Sequence, residues 1–192
     1  MVKSENFIQV EISSAIQLRE WLKQNHNQKD SIWLVTFKNE IKEKYVSTQE
    51  ILDEILCFGW IDGVRRKLDE KRTMQLISPR KVQHWTKTYK DRFAKLEKEG
   101  RVTDAGREAV LVSKRNGLWN FMDDVDALIK PPDFIKCLNE NPPAMNCFDA
   151  FGASSKRFML RHIKIAKTAD TRAKRITEIT LLAKQNKKLP GS

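Results

Sequence analysis

An α+β fold follows from three features of this 192-residue chain: a small sheet layered with helices in the N-terminal part, then a mainly helical C-terminal half. Strand-like patterning is confined to the first 80 residues, in Phe7–Ile12, Ser31–Lys38, Val64–Leu68 and Thr73–Ile77. Apolar residues at helical spacing recur between and after these runs. Beyond about residue 115 only helical patterning remains. These features mark two regions, an α+β part over 1–115 and a mainly helical part over 116–192 that ends in a basic helix pair.

Taken in order, Phe7–Ile12 alternates apolar and polar residues and reads as a short strand. Ser13 or Ser14 caps a helix with Ile16, Leu18, Trp21 and Leu22 as its apolar stripe. Ser31–Lys38, rich in β-branched and aromatic residues, reads as a strand buried on both faces. Asn39–Lys44 is a charged turn. Ser47 and Glu50 form an S-x-x-E capping box for a helix carrying Ile51, Leu52, Ile55, Leu56 and Phe58. Gly59 and Asp62-Gly63 are expected to stop that helix and turn the chain into a basic hairpin, which Pro79 closes.

Thr86 caps the next helix, with Tyr89, Phe93 and Leu96 as its stripe and Gly100 past its end. Thr103 caps another, with Ala105, Ala109 and Val112 on one side. Leu118–Lys130 reads as a loop or short helical turn, and Asp133–Asn139 as a short helix behind Pro131-Pro132. From Ser154 two helices are expected. The first carries Phe158, Met159, His162, Ile163, Ile165 and Ala166 on one side and Lys156, Arg157, Arg161, Lys164 and Lys167 on the other. Thr171 caps the second, which buries Ile176, Ile179, Leu182 and Ala183. Only the last half-dozen residues look frayed.

Composition narrows the function classes. Hydrophobic residues make up 40% and charged residues 32%, and no apolar run approaches the ~20 residues that cross a bilayer. The N-terminal stretch lacks an apolar signal core, and the three cysteines are odd in number with no C-x-x-C pair. A cytoplasmic protein without metal or cofactor is the expectation. The net charge of +11 is concentrated: residues 63–116 carry sixteen Lys/Arg against seven Asp/Glu, and residues 154–192 carry eleven against two. Such blocks attract anionic partners, whether a small molecule, an acidic protein or nucleic acid; a solvated lysine-rich surface is the competing reading.

CFGWIDG (57–63), SPRK (78–81) with Trp85-Thr86, Gly100-Arg101, Asn116-Gly117 with Trp119, Asn141-Pro142 and the tail SSKRFMLRHIKIAKTADTRAKRI (154–176) together resemble the YdeI/OmpD-associated family. The resemblance runs from about Phe7 to Leu182. It departs at His162, where a tryptophan is usual, and at His84, where a small residue is common. It implies a bacterial protein linked to bacteriocin protection or to an outer-membrane porin.

Candidate site residues come from the charge pattern. Asp62 reads as a general base, as a turn residue bonding its own backbone, or as the partner of a buried arginine. Arg66 shares a face with Val64 and Leu68 by strict alternation, so it is the arginine expected to line a cleft, with Arg80 and Lys81 beside it. Lys167, Arg172 and Arg175 gather at the start of the last helix, whose N-terminus favours anions. Arg172, on the apolar side, is read as an internal salt bridge or an anion contact. Trp60 and Trp85 are read as core or cleft wall. The leading expectation is a non-catalytic protein in stress or bacteriocin protection, capturing an anionic partner on the hairpin and the tail. Its rivals are an enzyme on a small anionic substrate with a cleft at Asp62, Arg66 and Arg80, and a nucleic-acid binder using the ridge Arg157, Arg161 and Lys164.

Overall fold

The computed structural model describes residues 7–191 and divides into two compact units, Met1–Trp119 and Asn120–Ser192. The first unit is a four-stranded sheet with helices. β1 (Gln9–Glu11), β2 (Ile32–Phe37), β3 (Trp60–Lys67) and β4 (Arg72–Pro79) lie in the order β1-β2-β4-β3, with β1 parallel to β2 and the other pairs antiparallel. α1 (Ala15–Asn25) and α2 (Thr48–Cys57) pack together over one face, and α3 (Lys87–Lys98) and α4 (Asp104–Arg115) pack against α2.

Local chemistry explains most boundaries. Ser14 accepts the Gln17 amide and begins α1. Leu18 and Leu22 face the core, but Ile16, expected in the apolar stripe, is 74% exposed. Ser47 and Glu50 form the reciprocal capping box of α2. β2 occupies an interior position and its first five residues are buried, as the unbroken apolar run requires. α3 ends in a Schellman turn: Gly100, at φ +69°, donates to the Glu97 carbonyl and Arg101 to the Leu96 carbonyl. α4 starts at Thr103, whose hydroxyl accepts the Gly106 amide. The buried line of α4 is Gly106, Val110 and Ser113, one position round from the stripe of Ala105, Ala109 and Val112. Gly106 sets that rotation, because it lets the helix backbone approach the Cys57 carbonyl so closely that an added Cβ would stand 2.3 Å from its oxygen.

The hairpin differs from expectation in one consequential way. Asp62-Gly63 is not a turn; both residues lie inside β3, and Gly59 at φ +72° alone reverses the chain after α2. Asp62 pairs with Ile77 and Arg65 with Gln75, so Gly63 and Val64 together oppose Leu76 in a β-bulge. The extra residue reverses side-chain parity. Asp62 and Arg65 therefore share the helix-covered face, and Arg66 takes the opposite one.

The second unit is helical: α5 (Asp123–Asp126), α6 (Pro132–Asn139), α7 (Ala144–Ala150), α8 (Ala153–Lys164) and α9 (Ala169–Lys184). α7 was not foreseen, since seven residues between prolines and Gly152 carry too short a periodicity to register. α8 touches both α5 and α9, so its buried arc centres on Ser155, Met159, Leu160 and Ile163. Phe158 and Ile165, expected inside, are 41% and 40% exposed. The cap of α9 is Thr168, not Thr171: its hydroxyl accepts the Thr171 amide at 3.1 Å, and the helix begins three residues earlier. Leu189, in the tail read as frayed, is buried in this unit's core, while Ser192 lies outside the described residues.

Candidate functional site

The site is built where two sequence stretches meet. Trp60 pairs with Pro79 at the end of the β3–β4 ladder, and the Arg80 amide donates to the Gly59 carbonyl at 2.9 Å. The CFGWIDG and SPRK segments are thereby clamped together, and Arg80, following β4, reaches Tyr89 on α3. The Trp85 amide donates to the Leu118 carbonyl at 3.1 Å, fixing the loop that follows.

The Arg80 guanidinium lies 4.1 Å from the Trp85 ring centroid and 5.1 Å from that of Tyr89. Trp85 is fully buried (0% exposed) and packs edge-on against Phe93 and tilted against Trp119. Nη1 of Arg80 reaches the carbonyls of Gln83 and His84 at 3.4 and 3.3 Å. Its Nε and Nη2, and the Trp85 Nε1, are inaccessible and have no hydrogen-bond partner among the described residues. A buried donor left empty costs about 1–3 kcal/mol, so such groups in a native fold normally face a bound water, ion or ligand. Burial pulls the Arg80 guanidinium down to about 10, against the opposing pull of Tyr89 and Asp62. It remains a cation at neutral pH.

Beside it, Asp62 accepts a short hydrogen bond from the Tyr89 hydroxyl and a longer one, 3.4 Å, from Gln75 Nε2. The buried Gln75 in turn accepts from Arg65 Nη2 at 2.5 Å. Asp62 is therefore tied to side chains, not to its own backbone as a turn residue would be. The network Arg65–Gln75–Asp62–Tyr89 holds one wall of the site in place.

The other expected residues are placed elsewhere. Arg66 is exposed and stacks on Trp33, 5.3 Å from its centroid, on the sheet face opposite Asp62. The cleft of Asp62, Arg66 and Arg80 does not form, and the bulge is the reason. Val64, its expected inward neighbour, is 55% exposed. Trp60 is a core residue, its indole donating to the His26 carbonyl and its ring meeting Trp21 edge-on. Lys81 is exposed and closes a loop by donating to the Lys29 carbonyl at 2.9 Å. In the second unit Lys167 is exposed and Arg175 donates to the His162 carbonyl at 2.6 Å. Arg172 grips Asp133 with Nε and Nη2 at 2.6 and 2.9 Å. That pairing raises the arginine and holds the Asp133 carboxyl below its ordinary range. Of the ridge, Arg157 and Arg161 are exposed, whereas Lys164 is tied to Asp124.

Arg80 stands out against four ion-paired arginines of the first unit. Arg19 and Arg101 both bind the buried Glu54 at 2.8 Å, and Arg101 also approaches Asp53. Arg72 joins Glu11 and Asp69, and Arg107 joins Glu97 and Asp104. All four are raised by acidic partners, while Arg80 is lowered by burial and has no carboxylate in hydrogen-bond reach among the described residues. Glu54, Arg19 and Gln75 escaped the sequence reading, and Arg101 and Tyr89 entered it only through the resemblance and the helical stripe, because charge pattern does not reveal which polar groups fold inward. Glu54 does sit at i, i+3 from Ile51 on the apolar side of α2, and that position was the available signal.

Residues 10–109 match the family model described as a domain of unknown function, DUF8412. Residues 127–186 match the one described as Bacteriocin-protection, YdeI or OmpD-Associated. The CFGWIDG and SPRK stretches thus fall in the first match and the basic helix pair in the second. No curated protein and no solved structure matches the chain.

Proposed function

Because this chain belongs to the DUF8412 family over half its length and carries a YdeI/OmpD-associated region behind it, we propose that it is a non-catalytic bacterial binding protein, acting in stress or bacteriocin protection, that captures a small anionic ligand at Arg80. One observation carries the reading. Arg80 is a half-buried cation stacked on two rings, and the Nε and Nη2 donors of its guanidinium have no hydrogen-bond partner among the described residues. Arginine binds oxyanions through two parallel N–H groups, and here both are oriented before any ligand arrives. Pre-organisation of that kind lowers the cost of binding.

A binder fits better than an enzyme. Asp62, the one candidate base, is engaged by Tyr89 and Gln75, and Arg66 is on the other face. Capture inside the cell belongs to the same reading; separately, no described helix is long and apolar enough to cross a membrane. The exposed Arg157 and Arg161 support nucleic-acid binding as a second reading. It requires an affinity that falls steeply with salt.

Thermal melting against a panel of small organic and inorganic anions tests the site. A ligand at 100 times its Kd adds about 2.7 kcal/mol of stability. A saturable rise in Tm is expected in the wild type and its loss in Arg80→Met. An equal response in both proteins, or none in either, contradicts the proposal.

A further inference from the structure

We infer that the second unit carries an anchor pocket for one uncharged aliphatic side chain of leucine size, presented by a peptide. The pocket uses none of the residues around Arg80 and stands or falls independently of anion binding there. Its geometry begins at the end of α5. Leu128 takes the left-handed conformation at φ +59°, where glycine or asparagine is usual, and its side chain packs against the unit's core. The Leu128 amide donates to the Val125 carbonyl at 3.0 Å and the Ile129 amide to the Asp124 carbonyl at 2.8 Å. Those bonds close the turn, and Ile129 is left 60% exposed.

Ile129 forms one wall of a cavity of about 120 Å³, and its other apolar walls are Val125, Pro131, Leu160 and Ile163. Leu160 and Ile163 belong to the core while Ile129 is exposed, so the cavity runs inward from the surface. Size limits the occupant. An apolar cavity of roughly 150 Å³ holds benzene, so this one holds about four or five carbons, the measure of a leucine or isoleucine side chain. Pockets that enclose a whole cofactor or metabolite are larger, about 300–1,000 Å³. A single apolar side chain seated in a pocket is how a peptide anchors to a protein surface.

The rim decides the charge. Lys164 is tied to Asp124, and Arg172 holds Asp133 through Nε and Nη2 at 2.6 and 2.9 Å. Each cation is thus already matched by a carboxylate, and an anionic ligand would meet no uncompensated positive charge. Donors remain. Arg172 Nη1 makes no hydrogen bond among the described residues, and Lys164 spends one of its three N–H groups on Asp124. Spare donors without spare charge match the carbonyl oxygens of a peptide backbone. Phe121, 37% exposed and 5.0 Å from Lys164 Nζ at its ring centroid, adds apolar surface beside that rim.

Methyl resonances of Ile129, Leu160 and Ile163 in the full-length protein report on the pocket directly. N-acetyl-leucinamide is the probe, compared at constant ionic strength with N-acetyl-glycinamide and with the anion N-acetyl-leucine. The expected result is a saturable shift of the Leu160 and Ile163 methyls with N-acetyl-leucinamide. Binding of N-acetyl-glycinamide should be about ten- to a hundredfold weaker, the value of burying one leucine side chain. The anion should bind no more tightly than the amide. Ile129→Asp, at an exposed position, should abolish the response with the core methyl spectrum otherwise retained, and Leu181→Ala, at another exposed apolar position of the same unit, should leave it intact. N-acetyl-leucine binding tenfold more tightly than the amide overturns the inference in favour of a carboxylate site. Equal responses to the leucine and glycine amides, no response to either, or a response that survives Ile129→Asp overturns the pocket itself.

Discussion

Asp62 and Arg65 share one face of the sheet although they stand three positions apart, because Gly63 and Val64 together oppose Leu76. That single irregularity decides which arginine of the Arg65-Arg66 pair joins the network around the buried Gln75. Arg65 reaches Gln75 and, through it, Asp62; Arg66 lies across the sheet on Trp33.

Arg66→Ala is therefore expected to leave anion binding unchanged. It removes a cation–π contact at an exposed position, worth about 0.5–1 kcal/mol. Urea denaturation and a ligand melt of the same variant separate the two effects. A tenfold loss of affinity would restore Arg66 to the site.

Helix placement in the first unit was largely legible from sequence, and the position of its functional arginine was not. The capping box at Ser47 and Glu50, the Gly100 C-cap and the apolar run Ser31–Lys38 act through near neighbours, so spacing alone reveals them. Whether Arg65 or Arg66 faces inward depends on a bulge set by pairing with β4, a partner strand that period-two alternation ignores. Arg80 was singled out only as one of several cations. What distinguishes it, an unpaired edge under two rings, exists only once α3 has packed. In α8 the same limit applied. Helical spacing offered two neighbouring stripes, and contact with α5 and α9 selected the one through Leu160.

Glu54 is the acidic centre of the first unit, receiving Arg19 from α1 and Arg101 from the α3–α4 connection. Removing one partner of a buried ion pair costs about 3–5 kcal/mol, and partial exposure of both arginines reduces that here to about 2–3 kcal/mol. Glu54→Ala is expected to lower the urea midpoint by the corresponding amount. A change under about 0.5 kcal/mol would show that the two arginines are satisfied by solvent.

Gly106→Ala puts a methyl group 2.3 Å from the Cys57 carbonyl oxygen, a backbone atom that cannot rotate aside. Alanine improves helix propensity by about 1 kcal/mol, yet forcing α4 off α2 outweighs that gain. The expected result is net destabilisation of about 2 kcal/mol or more in equilibrium denaturation. Gly152→Ala, with nothing within 4 Å of the added group, is the control and, as the N-cap of α8, should cost no more than about 1 kcal/mol.

Asp133 gives the second unit a dependence on pH. Its hydrogen bond with Arg172 depresses its folded ionisation below the ordinary 3.8, against the opposing effect of burial. A depressed carboxylate contributes stability that is present above its unfolded value and is lost as pH falls through the folded one. The raised Arg172 contributes throughout the range in which an arginine of the unfolded chain is protonated. The stability difference between wild type and Asp133→Asn is thus expected at pH 6 and should vanish near pH 2. With the side chain 49% exposed, its size at pH 6 is about 1 kcal/mol at most. A difference that persists unchanged at pH 2 contradicts the ion-pair assignment.

A high-resolution crystal structure of the full-length protein grown with acetate in place of other anions tests the role of Arg80 most directly. Two oxygens of one carboxylate are expected in the guanidinium plane, about 2.7–2.9 Å from Nε and Nη2. Separate water molecules on that edge, or a guanidinium with no anion beside it at saturating acetate, would contradict a receptor at Arg80.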